Sequence, residues 1–120
     1  QHICYQPEHL RLLGALLDAA GLPKSGPWCL FVIGHYTGAI SHPDQIDSFL
    51  AEMRAAGIDG DWAICAFREE EAACIRHAVS LGGKLRVGFE NSQFMADGSI
   101  APNNEARVAE AAAIMASANT

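Results

Sequence analysis

Lys84-Leu85-Arg86-Val87-Gly88-Phe89-Glu90-Asn91, directly after the double glycine Gly82-Gly83, decides how the rest of the chain is read. Its alternation predicts a strand with Leu85, Val87 and Phe89 on one face and Arg86, Gly88 and Glu90 on the other. One face is apolar, whereas the other carries an arginine, a gap and a carboxylate. Such a strand suits a barrel wall, whose outward residues meet helices and whose inward residues line the mouth. Four residues of extended chain put Arg86 and Glu90 roughly 13 Å apart, at about 3.3 Å per residue. Gly88 leaves the space between them open for the guanidinium arm.

Upstream, three further units repeat the same order of strand and helix. Residues 2 to 6 read as a short strand. Pro7 then opens a helix with Leu10, Leu13, Leu17 and Ala20 on one face, stopped by Gly21 and Pro23. Trp28 to Ile33 is a continuous apolar run, too short for a helix, and reads as a strand covered on both sides. Gly34 to Gly38 form the loop at its carboxyl end. A helix beginning near Ser41-His42-Pro43 buries Ile46, Phe49, Leu50 and Met53, and Gly57 ends it.

The third strand is Asp61 to Ala66. Glu69-Glu70-Glu71 mark the first turn of the third helix, where the helix dipole favours acid, and they read as a solvated face. That helix turns Ala72, Ile75, Ala78 and Val79 inward. After the quoted strand comes a loop from Ser92 to Pro102 with the turn Asp97-Gly98. A last helix, capped by Asn103 or Asn104, runs to about Ser117 with Val108, Ala112 and Met115 facing in.

Four strands alternating with four helices imply parallel strands joined by right-handed crossovers. Units of this size suit a (β/α)8 TIM barrel, which needs roughly 250 residues. The 120 residues therefore read as half of one barrel and as a single domain at most. The alternative, an open four-stranded sheet, would lay the polar face of the fourth strand under a helix. Half a barrel on its own would expose two long strand edges and a bare inner face, and is expected to self-associate.

Composition narrows the partners. Net charge is −6 with only 8 Lys and Arg, scattered along the chain, which argues against nucleic acid. No apolar run reaches the roughly 18 residues of a membrane span, and no signal peptide is visible, so a soluble, cytoplasmic protein is expected. The chain starts with Gln1 rather than Met, as a processed or partial chain would. Cys4, Cys29, Cys65 and Cys74 lack CxxC spacing and read as buried, reduced thiols rather than a zinc knuckle or disulfide frame.

The run from Leu81 to Ser92, followed by Gly98, Ala101 and Asn104, resembles the C-terminal signature of the β-keto acid cleavage enzymes, long catalogued as a bacterial domain of unknown function. The family pattern there is Gly-Gly-His-Val-Arg-Val-Gly-Leu-Glu-Asp-Asn, then a tyrosine-bearing loop, a glycine and Ala-x-x-Asn. The similarity continues more weakly through Trp62-Ala63 back to Pro7 and Leu10, and covers nearly the whole chain. It implies that residues 1–120 are the last four βα units, the C-terminal half of one barrel domain.

The resemblance also implies a zinc-dependent reaction in which a β-keto acid and acetyl-CoA give acetoacetate and a new acyl-CoA, carried out by a homo-oligomer. Glu90 matches the carboxylate zinc ligand and Arg86 the catalytic arginine. The family's other two ligands are a His-x-His pair, and here His2, His9, His35, His42 and His77 are all isolated, so both are expected from outside this chain. Zinc held by two His and one Glu keeps positions open for a substrate carbonyl. Asn91 stands where the family commonly has an aspartate assigned as general base. An amide accepts no proton, so another group serves, or Asn91 orients substrate or water. Ser92 replaces an asparagine and Phe94 the tyrosine.

Further residues are candidates from position. His35, Tyr36 and Thr37 follow the second strand at the mouth side and are candidate substrate contacts, as is Ser92. Arg68 at the mouth end of the third strand either meets the CoA phosphates or pairs with Glu70 or Glu71. His9, His42 and His77 belong to helices or their starts and are expected to face solvent. Two other functions compete: a non-catalytic half-barrel acting as a binding or scaffold protein, and another metal-assisted carbon–carbon lyase or aldolase on the same fold. Metal content separates the first, and competition by CoA esters the second.

Overall fold

The apolar runs and amphipathic stripes form one parallel sheet backed by helices. The computed structural model describes residues 1–35 and 37–118. In chain order it has β1 (His2–Cys4), α1 (Glu8–Ala20), β2 (Cys29–Ile33), α2 (Asp44–Ala55), β3 (Trp62–Ala66), a 3-10 turn (Arg68–Glu70), α3 (Glu71–Ser80), β4 (Lys84–Leu85) and α4 (Asn104–Ala118). The strands lie in the order β1-β2-β3-β4 and every pairing is parallel. This is the architecture of half a (β/α)8 barrel. The radius of gyration is 14.7 Å, against about 13.6 Å for a fully compact chain of this length.

The two faces of the sheet bury different sets. Phe31, Ile33, Ile64 and Ala66 face the helices and join Leu10, Leu17, Ile46, Phe49, Met53 and Cys74 in the main core. Leu30, Val32, Ala63, Cys65 and Phe67 form a second cluster on the inner face. All five residues of β2 are buried, as a strand covered on both sides must be. Phe31 lies between Phe49 and Trp62, with ring centroids 4.9 and 5.3 Å away and planes within 17° and 16°. Full burial of one such side chain contributes about 1.5–3 kcal/mol, so this column anchors α2 to the sheet. Ile46, Phe49, Leu50 and Met53 are all buried, as their spacing predicts. The four cysteines are buried free thiols.

The structure corrects several expectations. The strand over residues 84–91 is only Lys84–Leu85, with one further ladder bond from the Arg86 N–H to the Ile64 carbonyl. Beyond it the chain turns: the N–H groups of Asn91 and Ser92 both return to the Gly88 carbonyl, and the Phe89 N–H is taken by the Asn104 side chain. Phe89 is therefore exposed. The strand edges are short rather than long, at three residues for β1 and two for β4.

In α1, Gly14 is buried with Leu10 and Leu17, Leu13 is half-buried and Ala20 is exposed. In α4 the inward face is rotated by about one position. Arg107 and Ala111 are buried, whereas Val108 and Ala112 are exposed and Met115 is half-buried. The reason is Arg107, whose guanidinium is drawn onto Glu71. Glu71, expected on a solvated face, is 3% exposed. Asn103 caps α4, its Oδ1 accepting the Ala106 N–H at 2.8 Å.

Candidate active site

The carboxyl ends of parallel strands in a barrel converge on one mouth, so residues just past β1, β2, β3 and β4 should meet there. They do so in a pocket of about 180 Å³ lined by Tyr5, Val32, His35, Cys65, Arg86, Glu90 and Asn91 among others. Four residues singled out in the sequence, His35, Arg86, Glu90 and Asn91, thus share one cavity.

Arg86 and Glu90 are in contact through their side-chain tips. The turn at Gly88 brings Arg86 Nη2 to 3.4 Å from Glu90 Oε2. The gap expected at Gly88 is present, since the nearest atom to a Cβ placed there is Asn104 Oδ1 at 3.8 Å. The Arg86 and Glu90 side chains are 45% and 83% exposed, so this contact alone contributes at most about 1 kcal/mol. Glu90 is loosely held and open to other partners. Beneath them, burial pushes the Cys65 thiol up to about 11 against the opposing pull of Arg86. Cys65 is a neutral part of the floor rather than a nucleophile.

Asn91 is fixed on both amide hydrogens. Its Nδ2 donates to the Ala66 carbonyl and to Glu71 Oε2, each at 2.6 Å. Two acceptors on one atom assign the nitrogen, so Oδ1 is the side that remains an acceptor. Ser92 is buried behind the pocket, donating from Oγ to the Arg68 carbonyl at 3.2 Å. Arg68 has φ +58°, a left-handed backbone rare for a side-chain-bearing residue. Its N–H donates to the Asn91 carbonyl at 3.0 Å. Of the two carboxylates weighed as partners for Arg68, Glu70 and Glu71, Glu71 has both its oxygens bound by Arg107.

His35 is oriented by Thr37. The Thr37 N–H donates to His35 Nδ1 at 3.1 Å, and the Thr37 hydroxyl lies 2.5 Å from the same nitrogen. A nitrogen that accepts a backbone N–H carries no hydrogen, so the imidazole proton sits on Nε2. Tyr36 lies outside the described residues. Three other histidines do not line this pocket: His42 and His77 pair with Asp44 and Asp47, and His9 accepts the Tyr5 N–H behind the lining residue Tyr5.

The Glu71–Arg107 pair is the part of the site that sequence reasoning missed. Burial pushes the Glu71 carboxyl up to about 7, against the guanidinium of Arg107 and the Asn91 hydrogen bond, which both pull it down. Nothing near either residue in sequence announces the pairing, which spans α3 and α4.

Among the described residues, no group of three or more His, Cys, Asp and Glu is placed to hold a metal ion. No helix there is long and apolar enough to cross a membrane. Compared with known proteins, the chain matches over residues 1–120 the family model described as BKACE, beta-keto acid cleavage enzyme. None of the curated proteins matches it.

Proposed function

Because the chain belongs to the β-keto acid cleavage enzyme family, we propose that residues 1–120 are the C-terminal half of a barrel that converts a β-keto acid and acetyl-CoA into acetoacetate and a new acyl-CoA. Membership carries a lyase or aldolase type of function in general. The finer reading rests on one observation: Arg86 and Glu90 converge with His35 and Asn91 in one pocket at the carboxyl ends of the strands.

Glu90 suits one arm of a zinc site, because its carboxylate is exposed and only weakly tied to Arg86. The two histidine arms come from outside this chain in this reading. When bound, zinc supplies Lewis acidity at a carbonyl oxygen. Arg86 holds the substrate carboxylate or spreads negative charge on the reacting oxygens. His35 donates its Nε2 hydrogen to a substrate oxygen, oriented by Thr37. Asn91 is a fixed acceptor that orients substrate or water, since its amide takes no proton and both its hydrogens are committed. The base is therefore another group. Arg68, exposed at the mouth, meets CoA phosphates, while Ser92, buried, holds the Arg68 carbonyl rather than touching substrate.

Arg86→Lys in the complete enzyme tests this reading, because a point charge cannot reproduce the planar fork. The expected loss in kcat is about 10²–10³-fold, the size of one lost charge-stabilising donor. Activity within twofold of wild type would refute the role. Cleavage of the β-keto acid without acetyl-CoA would instead favour a CoA-independent lyase.

A further inference from the structure

Glu71 and Arg107 are 3% and 4% exposed, and their bidentate contact runs at 2.5 and 2.8 Å. Burying two charges costs several kcal/mol per ion before their attraction returns it, and apolar replacements of similar volume are often as stable. Arg107 Nε is buried with no partner among the described residues, a further cost. Stability alone gives little reason for this pair.

Its connections supply a reason. Glu71 Oε2 also accepts from Asn91 Nδ2, and Arg107 Nη1 also donates to the Phe94 carbonyl at 2.7 Å. Asn91 reaches the Ala66 carbonyl at the end of β3, and the Asn91 carbonyl takes the Arg68 N–H. The segment from Asn91 to Phe94 is thereby pinned to β3, α3 and α4 at once. Asn91 is the shared member, since it touches the buried pair and lines the pocket beside Glu90 and Arg86. The Arg86–Glu90 contact, long and exposed, cannot set the turn by itself.

We propose that Glu71 and Arg107 are positioning residues: acting through the Asn91 amide, they fix the turn of residues 88–92 and so place Glu90 and Asn91 against Arg86 in the pocket. The catalytic part of this inference rests on the function proposed above; the ordering of the turn does not. The pair acts by direction rather than by strength. Its fork and two acceptors allow one orientation of Asn91, which an apolar contact would not impose.

The test is hydrogen exchange by mass spectrometry on the chain carrying Glu71→Leu with Arg107→Met, a change that leaves no buried charge unpaired. Peptides covering residues 88–95 should exchange at least tenfold faster than in wild type, while those covering β2 and α2 stay unchanged. Arg107→Lys, which keeps the charge and loses the fork, should give a smaller rise confined to the same peptides, and it serves if the double variant fails to fold. In the complete enzyme both changes should lower kcat with little change in KM for acetyl-CoA, and Arg107→Lys should retain more kcat than the double variant. Unchanged protection of residues 88–95, or a loss spread evenly over the helices and strands, would overturn the proposal. Exchange is read without substrate, so its outcome bears on the turn whichever reaction the enzyme performs.

Discussion

Replacing Gly83 by alanine probes the column on which the sheet is built. A Cβ at Gly83 would lie 2.4 Å from both Cη2 and Cζ3 of Trp62 and 2.9 Å from Cζ2. Unstrained carbon contacts begin near 3.5 Å, so the ring must retreat by about 1 Å. Retreat onto its stacked face is blocked, because Phe31 stacks on Trp62 and Phe49 stacks on Phe31. Overpacking of this kind costs about 1–3 kcal/mol, and disturbing the stack adds about 0.5–1.5 kcal/mol. The expected loss is about 2–4 kcal/mol, a fall in Tm of roughly 8–16 °C for a chain of this size. Urea and thermal unfolding followed by far-ultraviolet circular dichroism would measure it. Gly82→Ala separates sterics from backbone strain: φ is +85° and nothing lies within 4 Å of its Cβ position, so strain alone should cost about 1–2 kcal/mol. Trimming the ring with Trp62→Leu should make Gly83→Ala cheaper, with a coupling of about 1–3 kcal/mol. A Gly83→Ala variant as stable as wild type, or a coupling of zero, would mean that the aromatic column does not confine the Trp62 ring.

Two further outcomes follow from buried polar groups. Ser41 Oγ donates to the Ile33 carbonyl and accepts the Phe67 N–H at 2.9 Å, tying the ends of β2 and β3 together; Ser41→Ala should cost about 1–3 kcal/mol in urea unfolding, and a cost below a few tenths would contradict that tie. The raised Glu71 carboxyl means that the folded state binds a proton the unfolded state has already lost. Its contribution to stability is full below the ordinary carboxyl value near 4.5 and is lost as pH rises to about 7, a difference of at most about 3 kcal/mol. Unfolding at pH 5 and pH 8 should show this fall in wild type and its absence in Glu71→Gln; identical pH profiles would refute it.

The fold is legible in the sequence wherever one element's pattern decides its own burial. The apolar run of β2 and the stripe Ile46, Phe49, Leu50, Met53 are local signals, and both are found as expected. Alternation overextends the fourth strand because it continues through Phe89 and Glu90, while the turn is set by two returns to the Gly88 carbonyl and by Asn104, 15 residues beyond Phe89. Glu71 and the face of α4 escape the sequence for one shared reason. An acid in a helix's first turn is ordinarily solvated, and only the packing of α4 on α3 brings Arg107 to it, 36 residues away. The pocket residues His35, Arg86, Glu90 and Asn91 can be singled out from strand ends and the motif, but their mutual geometry needs the turn.

Zinc-dependent acetoacetate formation at Glu90 is what the functional proposal stands on, and metal reconstitution puts it at risk. The complete protein carrying these residues would be stripped of metal, reconstituted with zinc and given a β-keto acid with acetyl-CoA, in wild type and in Glu90→Gln. Zinc should restore acetoacetate formation in wild type, and Glu90→Gln should lower zinc affinity at least tenfold and turnover by about 10²-fold or more. A Glu90→Gln variant that binds zinc and forms acetoacetate as wild type does would contradict the assignment of Glu90 as a zinc ligand.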